Sequence, residues 1–119
     1  MTQMRLLLVF ILVGVTVATA AADGFSSWRR TNSRSVSYRW QAVGTGSTSC
    51  YLEYRDDDVD ARRVDAVDVL VRVDYDSADG TSHSDRHGTR INNTPGNEFI
   101  NGICSRVTDV TVLDRRELR

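Results

Sequence analysis

The sequence has no lysine, only two cysteines, one proline and two histidines. All 15 basic residues are arginine, and the acidic set is almost entirely aspartate. Because both types are spread over several segments, this is a compositional bias rather than a binding signature, and the aspartate excess suits a saline exterior. The formal net charge of −1 gives no global positive field to draw in nucleic acid, so no nucleic-acid partner is expected. Beyond the first two dozen residues there is neither an internal repeat nor a sustained helical period, which sets aside repeat arrays and helical bundles.

What is present begins with a targeting pattern. Arg5 supplies a positive n-region, residues 6–17 an apolar stretch, and Ala18-Thr19-Ala20 or Ala20-Ala21-Ala22 the small-x-small site that a signal peptidase needs. Residues 1–22 therefore read as a signal peptide, and the protein is expected to be secreted or extracytoplasmic. Gly14, Thr16 and Thr19 interrupt the apolar run, so membrane attachment is expected only if this segment stays uncleaved. Cleavage leaves fewer than a hundred residues, enough for one domain with a marginal core. In an oxidising compartment Cys50 and Cys104 are expected to form one disulfide, worth about 4 kcal/mol on the chain-entropy model.

Period-2 alternation dominates the remainder. In residues 64–75, Val67, Val69, Val71, Val73 and Tyr75 share one parity while Asp68, Leu70, Arg72 and Asp74 take the other, as in a strand with one face on a core. This is the expected central strand. Val36, Tyr38, Trp40 and Ala42 mark another, and Cys50, Leu52 and Tyr54 a third, with residues 44–48 as a hairpin turn between them. Pro95-Gly96 signals a turn in which the glycine takes left-handed geometry, and the parity shift between Val107 and Val110 signals a β-bulge. The expected organisation is a flexible leader at 23–34, a single β domain at 35–113 and a polar C-terminal tail at 114–119. The fold class is all-β: a small antiparallel β-sandwich with one disulfide, or as second choice a small open barrel.

Chemistry concentrates after the central strand. Residues 76–88 read as a long polar loop, and Asp76, Asp79, His83, Asp85, Arg86 and His87 are its candidate binding residues. Asp74, Asp76, Asp79 and Gly80 approximate the opening of a calcium loop, but the third aspartate and the glycine each fall one place late. If the piece is extended, His83, Asp85 and His87 point to one side and would suit zinc. No cofactor is expected outright; calcium or zinc is the cation these six residues, 74, 76, 79, 83, 85 and 87, would take. Residues 56, 57, 58 and 60, all aspartate, form a charge run expected to lie in a loop near Arg62 and Arg63.

Ser82 and Ser84 stand beside both histidines and Asp85, the residue types of a triad without evidence of its geometry. Catalysis is accordingly not the leading expectation. That expectation is a secreted non-catalytic binding or adhesion module using the polar loop, its partner an extracellular protein or surface ligand. A structural or surface-assembly subunit that self-associates through a strand edge is the alternative, and a small secreted inhibitor, effector or hydrolase the third.

Overall fold

The structure is a computed structural model that describes residues 24–43, 49–77 and 79–119. The expected signal peptide and the 44–48 turn lie outside these residues. The described residues form seven strands: β1 (Arg29–Arg30), β2 (Val36–Val43), β3 (Ser49–Asp56), β4 (Ala66–Asp76), β5 (Ser82–Ile91), β6 (Gly96–Ile100) and β7 (Val107–Leu118). A one-turn helix, α1 (Asp57–Asp60), follows β3, and a 3-10 turn at Cys104–Arg106 precedes β7. They form two antiparallel sheets, ordered β1-β2-β3-β6 and β5-β4-β7, with no closed barrel.

β4 is the middle strand of the second sheet, as its alternation predicts. Val67, Val71 and Val73 are fully buried and Val69 and Tyr75 nearly so, while Asp68, Arg72 and Asp74 face outward. Cys50, Leu52 and Tyr54 of β3 supply the opposing wall, together with Val36 and Tyr38 of β2 and Ile100 of β6. Burying a side chain of this size stabilises by about 1.5–3 kcal/mol, so these two parities carry the fold. The disulfide joins Cys50 in β3 to Cys104 just ahead of β7, fastening one sheet to the other with a Cα separation of 5.0 Å.

Four expectations about local structure are revised. Residues 114–118 are no tail, because β7 stays paired with β4 as far as Leu118, opposite Ala66. The leader is partly ordered: Arg29 and Arg30 pair with Tyr38 and Ser37, and the Ser26 amide donates to Trp40 O at 2.8 Å. The aspartate run caps and forms α1, since Asp56 accepts hydrogen bonds from the backbone N–H groups of Asp58 and Val59. The 76–88 loop is mostly strand, for β4 runs to Asp76 and β5 starts at Ser82.

The parity shift in β7 is a bulge: Asp74 pairs with Asp109 and Tyr75 with Val107, so Thr108 is skipped, and Leu113 is skipped higher up. Gly96 follows the turn but does not take the left-handed conformation expected of it; positive φ among the described glycines belongs to Gly24 and Gly80. Space requires a glycine there instead, because a Cβ would lie 2.8 Å from the Thr89 side chain.

Candidate functional site

The segment singled out by its chemistry is a hairpin whose polar groups are largely spent on each other. Ser77 N donates to Thr81 O at 2.9 Å, Thr81 N donates to Asp79 Oδ1 at 2.9 Å, and the Ser77 hydroxyl donates to the same carboxylate. These bonds from Ser77 and Thr81 hold the Asp79 carboxyl well below its usual range. Across the hairpin Ser82 donates to Asp76 at 2.9 Å, and Ser84 donates to Asp74. Both hydroxyls are on aspartates, and among the described residues neither serine is hydrogen-bonded to a histidine.

His83, Asp85 and His87 do share the inward parity of β5, opposite Tyr75, Val73 and Val71. They are not gathered onto one point. The His83 ring stacks on Tyr75 with centroids 5.4 Å apart, Asp85 accepts from the Tyr75 hydroxyl at 2.9 Å, and His87 Nε2 lies 3.0 Å from Asn97 O in the other sheet. Burial, then the bond and charge of Asp85, push the Tyr75 phenol up to about 12. Arg86 points to the opposite, exposed side. Among the described residues no group of three or more His, Cys, Asp or Glu is placed to hold a metal ion.

Behind β5 runs a buried polar seam. Glu98 of β6 is 6 % exposed, and its carboxylate accepts from the Tyr54 hydroxyl at 2.7 Å. Burial raises the Glu98 carboxyl above its ordinary value; the Tyr54 bond and the His87 charge oppose that rise, and Asp85 adds to it. Burial and the neighbouring Glu98 likewise raise the Tyr54 phenol.

A different surface collects aromatic rings and cations. On the outer face of the first sheet, Tyr51 of β3 lies between Phe25 of the leader and Phe99 of β6, with ring centroids 6.0 and 4.9 Å away. Phe99 is 66 % exposed. The Arg39 guanidinium sits 3.9 Å from the Phe25 ring centre and 4.7 Å from that of Trp28, and Arg55 stacks on Trp28 at 4.4 Å. Glu53 binds Arg39 at 2.8 Å and holds the guanidinium in place. Cation–π contacts of this kind are worth about 0.5–1 kcal/mol each when exposed.

The charges on this face are mixed, since Glu53 lies between Arg39 and Arg55, but the sequence leading up to Glu53 is basic. Residues 24–52 contain Arg29, Arg30, Arg34 and Arg39 and no acid, although the whole chain is net negative. Trp28, Arg29, Arg30 and Arg34 all fall within 23–34, the segment expected to be a flexible leader. Neither Tyr51 nor Phe99 is among the residues that the sequence suggests for a site, although Tyr51 alternates with Leu52 on the polar parity of its strand. The available signal was that each carries a ring on its strand's outward parity, opposite Leu52 and Ile100. Comparison with known proteins found no match: no family model, no curated protein and no solved structure aligns with this chain.

Proposed function

We propose that this chain is an exported, non-catalytic binding module whose recognition surface is the outer face of the first sheet, and that its partner is anionic. The carrying observation is the exposed ring of Phe99 set against Tyr51, with the guanidiniums of Arg39 and Arg55 stacked on Phe25 and Trp28 on the same sheet face. Rings and guanidiniums on a flat, rigid face supply the contacts that dominate binding surfaces, and they do so at low conformational cost. The signal-like N-terminus and the disulfide support a location outside the cytoplasm.

This reading moves recognition away from the β4–β5 hairpin, whose aspartates are already engaged by serine and threonine donors. Its test is retention of the disulfide-intact protein on immobilised polygalacturonate and poly-glutamate, with neutral dextran as control. Wild type is retained on at least one anionic matrix, while Tyr51→Ala and Phe99→Ala, both unchanged in charge, lose about tenfold in affinity. Retention that survives both substitutions, or no retention on either matrix, refutes the reading.

A further inference from the structure

We propose that a second site, at the end of the sandwich below α1, binds a small zwitterion carrying an apolar side chain, the chemistry of a free amino acid or of a short peptide with both ends free. The cleft measures about 470 Å³ and lies between the exit of α1 and the β5–β6 turn. That volume falls in the range of small-molecule sites. It adjoins the aromatic face at Arg55, which stacks on Trp28, but does not rest on the function proposed above.

Arg62 borders the cleft and carries the main argument. It follows α1 with φ 61°, the only positive φ at a non-glycine among the described residues. Its N–H donates to Val59 O at 3.0 Å and the N–H of Arg63 donates to Asp58 O at 2.8 Å. Those two bonds define a Schellman ending, in which the left-handed position belongs to glycine, or next to asparagine. An arginine is strained there by its Cβ. Among the described residues its exposed side chain forms neither an ion pair nor a hydrogen bond, so only the two backbone bonds offset the strain and the guanidinium adds nothing to the fold. A guanidinium kept at a glycine position and left unpartnered is poised for something outside the chain.

Arg55 brings a second guanidinium to the same cleft. Its Nε is buried without a hydrogen-bond partner, and its plane is held against Trp28. The Nε is enclosed, but a guanidinium carries four further N–H donors, and a carboxylate in the cleft would accept from those.

The anionic half of the cleft is equally free. Asp56 and Asp58, next door, are taken by Arg115 and Arg63, but Asp60 and Asp65 form no ion pair among the described residues. Two cations and two anions therefore share one cleft without pairing with each other. A simple anion would meet Asp60 and Asp65, and a simple cation would meet the arginines; a molecule with both charges has a partner for each end. Val59, Val64 and Ile91 provide an apolar floor for its side chain.

The test is titration calorimetry of the disulfide-intact protein with leucine and with leucyl-leucine, against N-acetyl-leucine, leucinamide and glycine. At least one of the two zwitterions binds, and the tighter of them identifies the source as amino acid or peptide. N-acetyl-leucine and leucinamide, each lacking one charge, and glycine, lacking the side chain, bind about tenfold more weakly. Arg62→Gly separates the site from the fold: relief of the left-handed strain raises the melting temperature, while loss of the guanidinium weakens leucine binding by about tenfold or more. Asp65→Asn weakens the zwitterions and strengthens N-acetyl-leucine, whose lone carboxylate no longer meets that charge. Absence of heat with both zwitterions, equal binding of a singly charged analogue, or wild-type affinity in Arg62→Gly overturns the proposal.

Discussion

Arg115 of β7 and Asp56 at the end of β3 form a two-pronged ion pair inside the sandwich, Nε to Oδ2 at 2.8 Å and Nη2 to Oδ1 at 3.1 Å. Asp56 is fully buried, and the same carboxylate caps α1 and accepts from the Ser35 hydroxyl at 3.1 Å. One side chain thus joins the two sheets and starts the helix that shapes the end cleft. Burial opposes ionisation of Asp56, but the bonds from Arg115, Ser35 and the Asp58 amide outweigh it and hold the carboxyl below its usual range. The pair therefore contributes stability above the ordinary aspartate range, lost as pH falls through the depressed value.

Removing Arg115 should leave a buried, uncompensated carboxylate. Arg115→Met is expected to cost about 3–5 kcal/mol in urea unfolding at pH 7. Asp56→Asn in the same chain removes the charge and keeps a competent cap, so the double variant should recover most of that loss. Additive losses in the double variant would mean that the two residues act independently.

Glu98 imposes the opposite pH slope. Its carboxyl titrates above the ordinary value because it is buried, so its contribution is complete below the usual glutamate range and falls as pH rises through the raised value. Glu98→Gln keeps an acceptor for Tyr54 and removes the charge. Its stability relative to wild type should therefore improve as pH is raised from about 4 to about 7. Glu98→Ala should instead lose about 1–3 kcal/mol at every pH, because the Tyr54 hydroxyl is left buried without a partner. Parallel pH curves for wild type and Glu98→Gln would show that Glu98 does not titrate abnormally.

The parts of this fold that were legible in the sequence are those where burial and polarity alternate together. β4 and β3 declare themselves because their inward residues are apolar, and even the bulge at Thr108 left a trace in the shifted valines. The end of β7 is hidden because its inward residue is Arg115, which makes sense only beside Asp56, 59 positions earlier. β5 looked like a loop because an edge strand can be polar on both faces, and its apolar residue, Ile91, comes last. The common side of His83, Asp85 and His87 was readable from spacing; their separate partners were not, since Tyr75 and Asn97 reach them through sheet register and sheet packing. In the end cleft, Arg62 and Arg55 gave no local signal, as neither the left-handed backbone nor the unpartnered Nε has a sequence pattern.

The Cys50–Cys104 bridge should contribute about 4 kcal/mol, given the long loop it closes. Intact mass should rise by two hydrogen atoms on reduction, and the urea midpoint of the reduced protein should fall accordingly. Equal free-thiol content before and after reductant would remove the bridge from this account.

Gly102 packs against the Tyr75 ring so closely that an added Cβ would lie 2.7 Å from it. The ring is buried and tethered through its hydroxyl to Asp85, which leaves it little room to move. Gly102→Ala is expected to cost about 1–3 kcal/mol as an overpacked site. Gly88→Ala is the control, because the nearest atom, Val69 O, is 4.0 Å away, and it should change stability by no more than about 0.5 kcal/mol. Equal effects of the two substitutions would contradict the packing argument.

β7 is an outer strand of the second sheet, and its edge is covered at one point by a side chain. The Asn32 amide donates to Val112 O at 3.0 Å, and its oxygen accepts from Val112 N at 2.6 Å, reproducing the pair of bonds that another strand would make. The bulges at Thr108 and Leu113 break the regular spacing on either side of that point. An uncovered edge is a template for another chain, and an amide plug between two bulges is one way to deny it. Asn32→Ala should leave the fold intact and expose Val112 N–H and C=O. Its weight-average mass in sedimentation should then rise with concentration under conditions where wild type shows a smaller rise. Identical behaviour of the two proteins across the accessible range would mean that Asn32 does not guard this edge, and that any assembly must use β5 or the aromatic face instead.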